Sequence, residues 1–68
     1  MIDKNRPQKY LNKDIETLKE AKEIAIELSK AFWNTYFQIH QKESSFYISR
    51  YYDNNVIFYT LKGNISKH

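Results

Sequence analysis

Four glutamates are spaced as the carboxylates of a catalytic pair could be. Recurring every three or four residues, they would share one side of a helix, and they are Glu16, Glu20, Glu23 and Glu27. Two neighbouring carboxylates can act as general acid and base, but this chemistry needs a concave and partly dry site. Because lysines are interleaved with these glutamates, we interpret the row as a solvated helix face.

Other chemical signatures are weak. The two histidines, His40 and His68, are far apart in the sequence, and there is no cysteine, so no cluster has the spacing of metal ligands. Gly63 is the single glycine, which excludes a glycine-rich phosphate loop. We interpret His40 as a residue near a helix end that interacts with the helix dipole. We therefore predict a protein that is not an enzyme, with no catalytic residue, metal, cofactor or small-molecule substrate.

Size and composition limit the number of domains, the sources of stability and the cellular location of this chain. With 68 residues it forms at most one domain, and domains this small often need a disulfide, a metal or a partner for stability. Without cysteine or a metal cluster, good helix packing, self-association or a binding partner remains as the source of stability. The chain shows no signal peptide and no apolar run of roughly 18 residues. We expect an intracellular, cytoplasmic protein that does not enter the membrane.

The excess positive charge is concentrated near the two ends of the chain. The net charge is +3. Residues 1–12 contain Pro7 and lack apolar periodicity, so we predict a flexible basic arm. Residues 13–65 form the predicted domain, and residues 66–68 form a tail.

A long helix is predicted from about residue 13 to residue 41. Asn12 or Asp14 could cap its N-terminus. Apolar residues recur at spacings of three, four or seven, which is typical of one helix face; they are Ile15, Leu18, Ala21, Ala25, Leu28, Phe32 and Ile39. From Ile24 onward apolar residues spread around the helix, which indicates burial on more than one side.

A β-hairpin is predicted after this helix. Two segments rich in β-branched and aromatic residues, 46–52 and 56–62, flank the turn sequence Asp-Asn-Asn at 53–55. We therefore predict an α+β fold in which one long N-terminal α-helix packs on a C-terminal two-stranded antiparallel β-hairpin.

The register of the hairpin has two alternatives. A two-residue turn pairs Arg50 with Tyr59 and Ile48 with Leu61, whereas a three-residue turn regroups the strands. We favour the two-residue turn because it gathers more aliphatic area on one side. That register leaves Phe58 on the outer face and Tyr59 on the inner one.

Aromatic residues exceed what a helix and a hairpin can bury. They make up 16% of the chain, and Tyr, Trp, Phe and Arg are enriched at protein interfaces. The predicted partner-binding residues are Trp33, Tyr36, Tyr47, Arg50, Tyr51 and Phe58. We predict a small regulatory protein, an adaptor or inhibitor of the kind phages and mobile elements encode. It would cover a protein partner's surface, form a homodimer, or both.

Nucleic-acid binding is the alternative hypothesis. Aromatic side chains on a sheet could stack bases while lysines and arginines contact the backbone. The cations predicted for this role are Lys4, Arg6, Lys9, Lys13, Arg50 and Lys62.

Overall fold

One α-helix and four β-strands make up the regular core of the described chain. The computed structural model describes residue 3, residues 5–50 and residues 55–67. In chain order the elements are a 3-10 helix at Pro7–Tyr10, α1 at Leu18–Ala31, β1 at Phe37–Gln41, β2 at Phe46–Ser49, β3 at Val56–Leu61 and β4 at Asn64–Lys67.

Thr17 sets the start of α1. Its backbone is extended, and its side-chain Oγ1 accepts a hydrogen bond from the backbone N–H of Glu20 at 3.2 Å, as an N-cap residue does. The helix ends at Ala31, where the N–H of Phe32 still donates to the carbonyl of Leu28. The expected cap at Asn12 or Asp14 is therefore wrong, and the helix is 14 residues long.

The strands form one antiparallel sheet in the order β2-β1-β3-β4. The helix packs on one face of it through a stripe of buried residues that includes Ala21, Ala25 and Leu28. The two alanines are small enough to let the helix approach the sheet closely. The sheet contributes Phe37, Ile39 and Ile48 to this core.

The α+β class is confirmed, but the predicted long helix on a two-stranded hairpin is wrong. Residues 37–41, which were expected to end the helix, form the strand β1. Phe37–His40 are all buried, so both faces of this strand are covered. A short apolar run that is buried on both faces has no alternation, and its periodicity alone cannot separate it from a helix.

The predicted pairing of the hairpin strands is also wrong. Strand β1 lies between β2 and β3, so Ile48 pairs with Ile39 rather than with Leu61. Tyr59 pairs with Gln38 rather than with Arg50. Of the predicted turn at 53–55, the first two residues lie outside the described residues.

Strand β4 is joined to β3 by a two-residue turn. Lys62 and Gly63 both have positive φ, 56° and 78°, as a type I′ hairpin turn requires. The N–H of Gly63 donates to Oγ of the buried Ser29 at 2.8 Å, and this hydroxyl donates to the carbonyl of Ile26 at 2.9 Å. One helix side chain therefore holds the turn against α1.

The outer edge of β2 is covered by the segment that precedes the helix. The N–H of Asn12 donates to the carbonyl of Ile48 at 2.8 Å. Ile15 and Phe46 exchange two backbone hydrogen bonds of 2.7 and 2.8 Å. This segment thus extends the sheet beyond β2 and supplies Ile15 to the core.

We predict that Ile39→Ala destabilises the protein by about 2–5 kcal/mol, since it opens a cavity between α1 and the centre of the sheet. Ile65→Ala, at a half-buried position on the edge strand β4, is the matched control and should cost less. Urea denaturation followed by circular dichroism measures both. Equal losses would contradict the central position of β1.

We also predict that Ser29→Ala lowers the free energy of unfolding by about 1–2 kcal/mol, because the N–H of Gly63 loses its acceptor. Ser44→Ala, at an exposed position, should change it by less than about 0.5 kcal/mol. Thermal denaturation of the two variants checks this difference. If Ser29→Ala and Ser44→Ala had the same free energy of unfolding, the hydrogen bond from Gly63 would not contribute to stability.

Candidate interaction surface

The sheet has a second face, opposite α1. Because side chains alternate along a strand, the residues next to Phe37 and Ile39 point away from the helix. This surface, here called the open face, consists of Gln38, His40, Tyr47, Ser49, Val56, Tyr59, Leu61, Asn64 and Ser66. Among the described residues, no second α-helix or sheet covers it.

Two polar side chains at the centre of the open face are buried. His40 is fully buried, and its ring stacks on that of Tyr47 with centroids 4.6 Å apart and an interplanar angle of 11°. Gln38 is also buried, and its Oε1 accepts no hydrogen bond within the described part of the chain. A buried acceptor of this kind costs about 1–3 kcal/mol. The centre of the face is therefore not optimised for stability.

Large aromatic side chains are exposed at one end of this face. Trp33 is 55% exposed and Tyr36 is 52% exposed. The rings of Tyr36 and Tyr59 lie 6.2 Å apart, and Lys62 Nζ lies 5.9 Å from the ring centroid of Trp33. We call Trp33, Tyr36, Tyr59 and Lys62 the aromatic corner. It lies where β1 begins and β3 ends.

The other predicted partner-binding residues are dispersed. Tyr47 lies on the open face, half-buried, with Lys42 Nζ 5.4 Å from its ring centroid. Arg50 is exposed just after β2. Phe58 packs against the core on the helix side, and Lys22 Nζ lies 4.3 Å from its ring centroid. Tyr51 lies outside the described residues.

A β-bulge explains the placement of Phe58. The pairing of β1 with β3 shifts between Ile39 and His40, which leaves Ile57 as an extra residue on β3. Ile57 and Phe58 both pack against the core, while Tyr59 joins the open face. The favoured register had assigned Phe58 to the outside and Tyr59 to the inside. The sequence prediction assumed strict alternation of side chains along the strand, and the extra residue of a bulge breaks that alternation.

The predicted nucleic-acid cations do not form one patch in the described part of the chain. Arg6, Lys9 and Lys13 are exposed in the segment that leads to the edge of β2. Lys62 lies in the turn before β4, at the opposite edge of the sheet. Lys4 lies outside the described residues.

The residues first considered for catalysis do not share a buried site. All four glutamates are exposed, and Glu27 forms an ion pair with Lys30 at 3.7 Å. His40, which was expected at a helix end, lies in β1 instead. In the described chain, no group of three His, Cys, Asp or Glu residues could hold a metal ion.

The structure also contains an open depression of about 490 Å³ beside the β1–β2 turn. It is lined by Gln41, Lys42, Glu43, Ser44, Ser45 and Asn55. These residues are polar and mostly exposed, whereas sites that bind small molecules have mainly apolar walls. The depression therefore does not resemble a catalytic pocket.

Comparison with known proteins provides no relative. The chain matches no protein-family model, and it has no significant match among curated proteins or solved structures. Within the described residues, α1 is too short and too polar to cross a membrane.

We predict that Phe58→Ala costs about 2 kcal/mol of stability, because this ring packs against the core. Trp33→Ala should cost less than about 1 kcal/mol, since more than half of that side chain is in water. Urea denaturation of both variants distinguishes the buried aromatic from the exposed one. If the two variants were equally stable, Phe58 would not be a core residue and could belong to the partner-binding surface that the sequence predicted.

Proposed function

We propose that this chain is a non-catalytic protein-interaction module, an adaptor or inhibitor that covers a partner surface with its aromatic corner and open face. The observation that carries the proposal is the exposure of Trp33 and Tyr36, both above one half, beside a sheet face that no second helix or sheet covers among the described residues. Large side chains exposed together on a small domain are typical of protein-interaction sites.

Burial of these rings would provide substantial binding energy. Covering the exposed half of one large aromatic side chain is worth about 2 kcal/mol. Trp and Tyr are also the residues most enriched at interface hot spots, where a few side chains provide most of the affinity. Trp33 and Tyr36 are therefore the proposed anchors.

The surface around these anchors is held in place before binding. Tyr36 directly precedes β1, and Tyr59 lies on β3, the two inner strands of the sheet. A partner would bind side chains whose backbone is already fixed, which reduces the entropy lost on association. A preformed surface on a small domain suits a protein that blocks or bridges larger ones, such as a small regulatory protein of a phage or mobile element.

Nucleic-acid binding remains the second candidate, and the contact between Lys62 and Trp33 favours it. A cation beside an exposed indole ring is the arrangement that stacks a base and contacts its phosphate. The dispersion of the other cations argues against a continuous backbone track, so we rank this function below protein binding.

The double substitution Trp33→Ser and Tyr36→Ser tests the first proposal. We expect the variant to fold normally and to lose at least tenfold in affinity for a partner captured by the wild-type protein. Affinity capture, mass spectrometry and titration of the recovered partner provide the measurement. Lys19→Ser with Glu23→Ser, at exposed positions of α1, is the matched control and should bind normally. Equal binding by both variants would refute the proposed anchors.

Fluorescence anisotropy with a labelled single-stranded oligonucleotide tests the second candidate. If the chain binds proteins, we expect no saturable binding at low salt. Saturable binding that weakens steeply with added salt, and that is lost in Lys62→Ala, would establish the nucleic-acid function instead.

A further inference from the structure

The two outer edges of the sheet differ. On the outer side of β2, Phe46 bonds to Ile15 through its N–H and C=O groups, and the carbonyl of Ile48 accepts from Asn12. On the other edge, no described residue bonds to the outer side of β4. An uncovered strand edge presents a row of N–H and C=O groups to which another strand can pair.

The register of the β3–β4 hairpin determines which backbone N–H and C=O groups of β4 point outward. The residues that flank a two-residue turn exchange both hydrogen bonds, and such pairs then alternate with non-hydrogen-bonded pairs. Leu61 with Asn64, and Tyr59 with Ser66, are therefore the hydrogen-bonded pairs. Ile65 and Lys67 lie in the alternate pairs, so their N–H and C=O groups point outward from the sheet.

We propose that β4 pairs antiparallel with β4 of a second copy of this chain, about a two-fold axis at Ser66. In this register Ile65 lies opposite Lys67 of the second copy, and Lys67 lies opposite Ile65 of the second copy. Both residues direct their backbone groups outward, so the two copies form four N–H···O=C hydrogen bonds.

The side chains of β4 fit a second copy of the same strand. Ser66, which lies on the axis, is small and exposed. The cation of Lys67 faces an isoleucine rather than another cation, and its aliphatic stem can cover that half-buried side chain. A two-fold axis also closes the assembly, because each copy uses its β4 edge once.

The dimer would join two sheets into one of eight strands. Ser66 on β4 pairs with Tyr59 on β3 and therefore lies on the open face. Because Ser66 also lies on the two-fold axis, the open faces of the two copies would form one continuous surface. This interface is distinct from the aromatic corner, and the proposal does not depend on the proposed function. The Trp33→Ser and Tyr36→Ser variant should retain the dimer.

Ser66→Cys tests the axis directly, because the chain contains no cysteine. Opposed residues in a non-hydrogen-bonded antiparallel pair have Cα atoms about 4.5 Å apart, within the range of a disulfide. Under mild oxidation we expect most of the Ser66→Cys protein to become a covalent dimer. In the control Asn64→Cys, the two cysteines are offset by four residues, about 13 Å along the strand, so it should remain uncrosslinked. Equal crosslinking of both variants, or none, overturns the proposal.

Sedimentation equilibrium measures the noncovalent dimer. Lys67→Pro removes an outward N–H but no bond to β3, and proline is tolerated at such edge positions. Because each copy loses one donor, we expect the dissociation constant to rise about tenfold or more. Lys67→Ala keeps the N–H and should leave it nearly unchanged, and circular dichroism checks that both variants fold. A wild-type protein that stays monomeric up to millimolar concentration overturns the proposal.

Discussion

The pairing of β1 with a strand on each side is the interaction on which the rest of this structure depends. This five-residue strand bonds to β2 on one side and to β3 on the other. Its Phe37 and Ile39 belong to the core that α1 covers, while Gln38 and His40 form the centre of the opposite face. Both the core and the candidate surface are therefore built from alternate residues of one segment.

The functional surface follows from this arrangement. Because α1 ends at Ala31, the chain must cross from the helix to the central strand within a few residues. Trp33 and Tyr36 lie in this crossing, where neither the helix nor the sheet can cover them fully. Their exposure therefore belongs to a connecting segment rather than to a helix face, because α1 ends before them.

The edges of the sheet show how a small domain manages its unused hydrogen-bonding groups. The segment before α1 covers the outer side of β2 and places Ile15 in the core. At the far edge, the last strand of the described sheet is the short β4, and the contact of Gly63 with Ser29 holds its turn to the helix. No described residue pairs with the outer side of β4, so this edge presents backbone N–H and C=O groups that are not used within the sheet.

Local patterns in the sequence determined the α+β class, the buried stripe Ala21–Ala25–Leu28 and the excess of aromatic residues near Trp33. These depend on periodicity and composition, which neighbouring residues set among themselves. Only the tertiary structure decided that residues 37–41 form the central strand, and that a bulge turns Phe58 inward and Tyr59 outward. A short segment buried on both faces has no distinctive period, and its state is decided by hydrogen bonds to strands elsewhere in the chain.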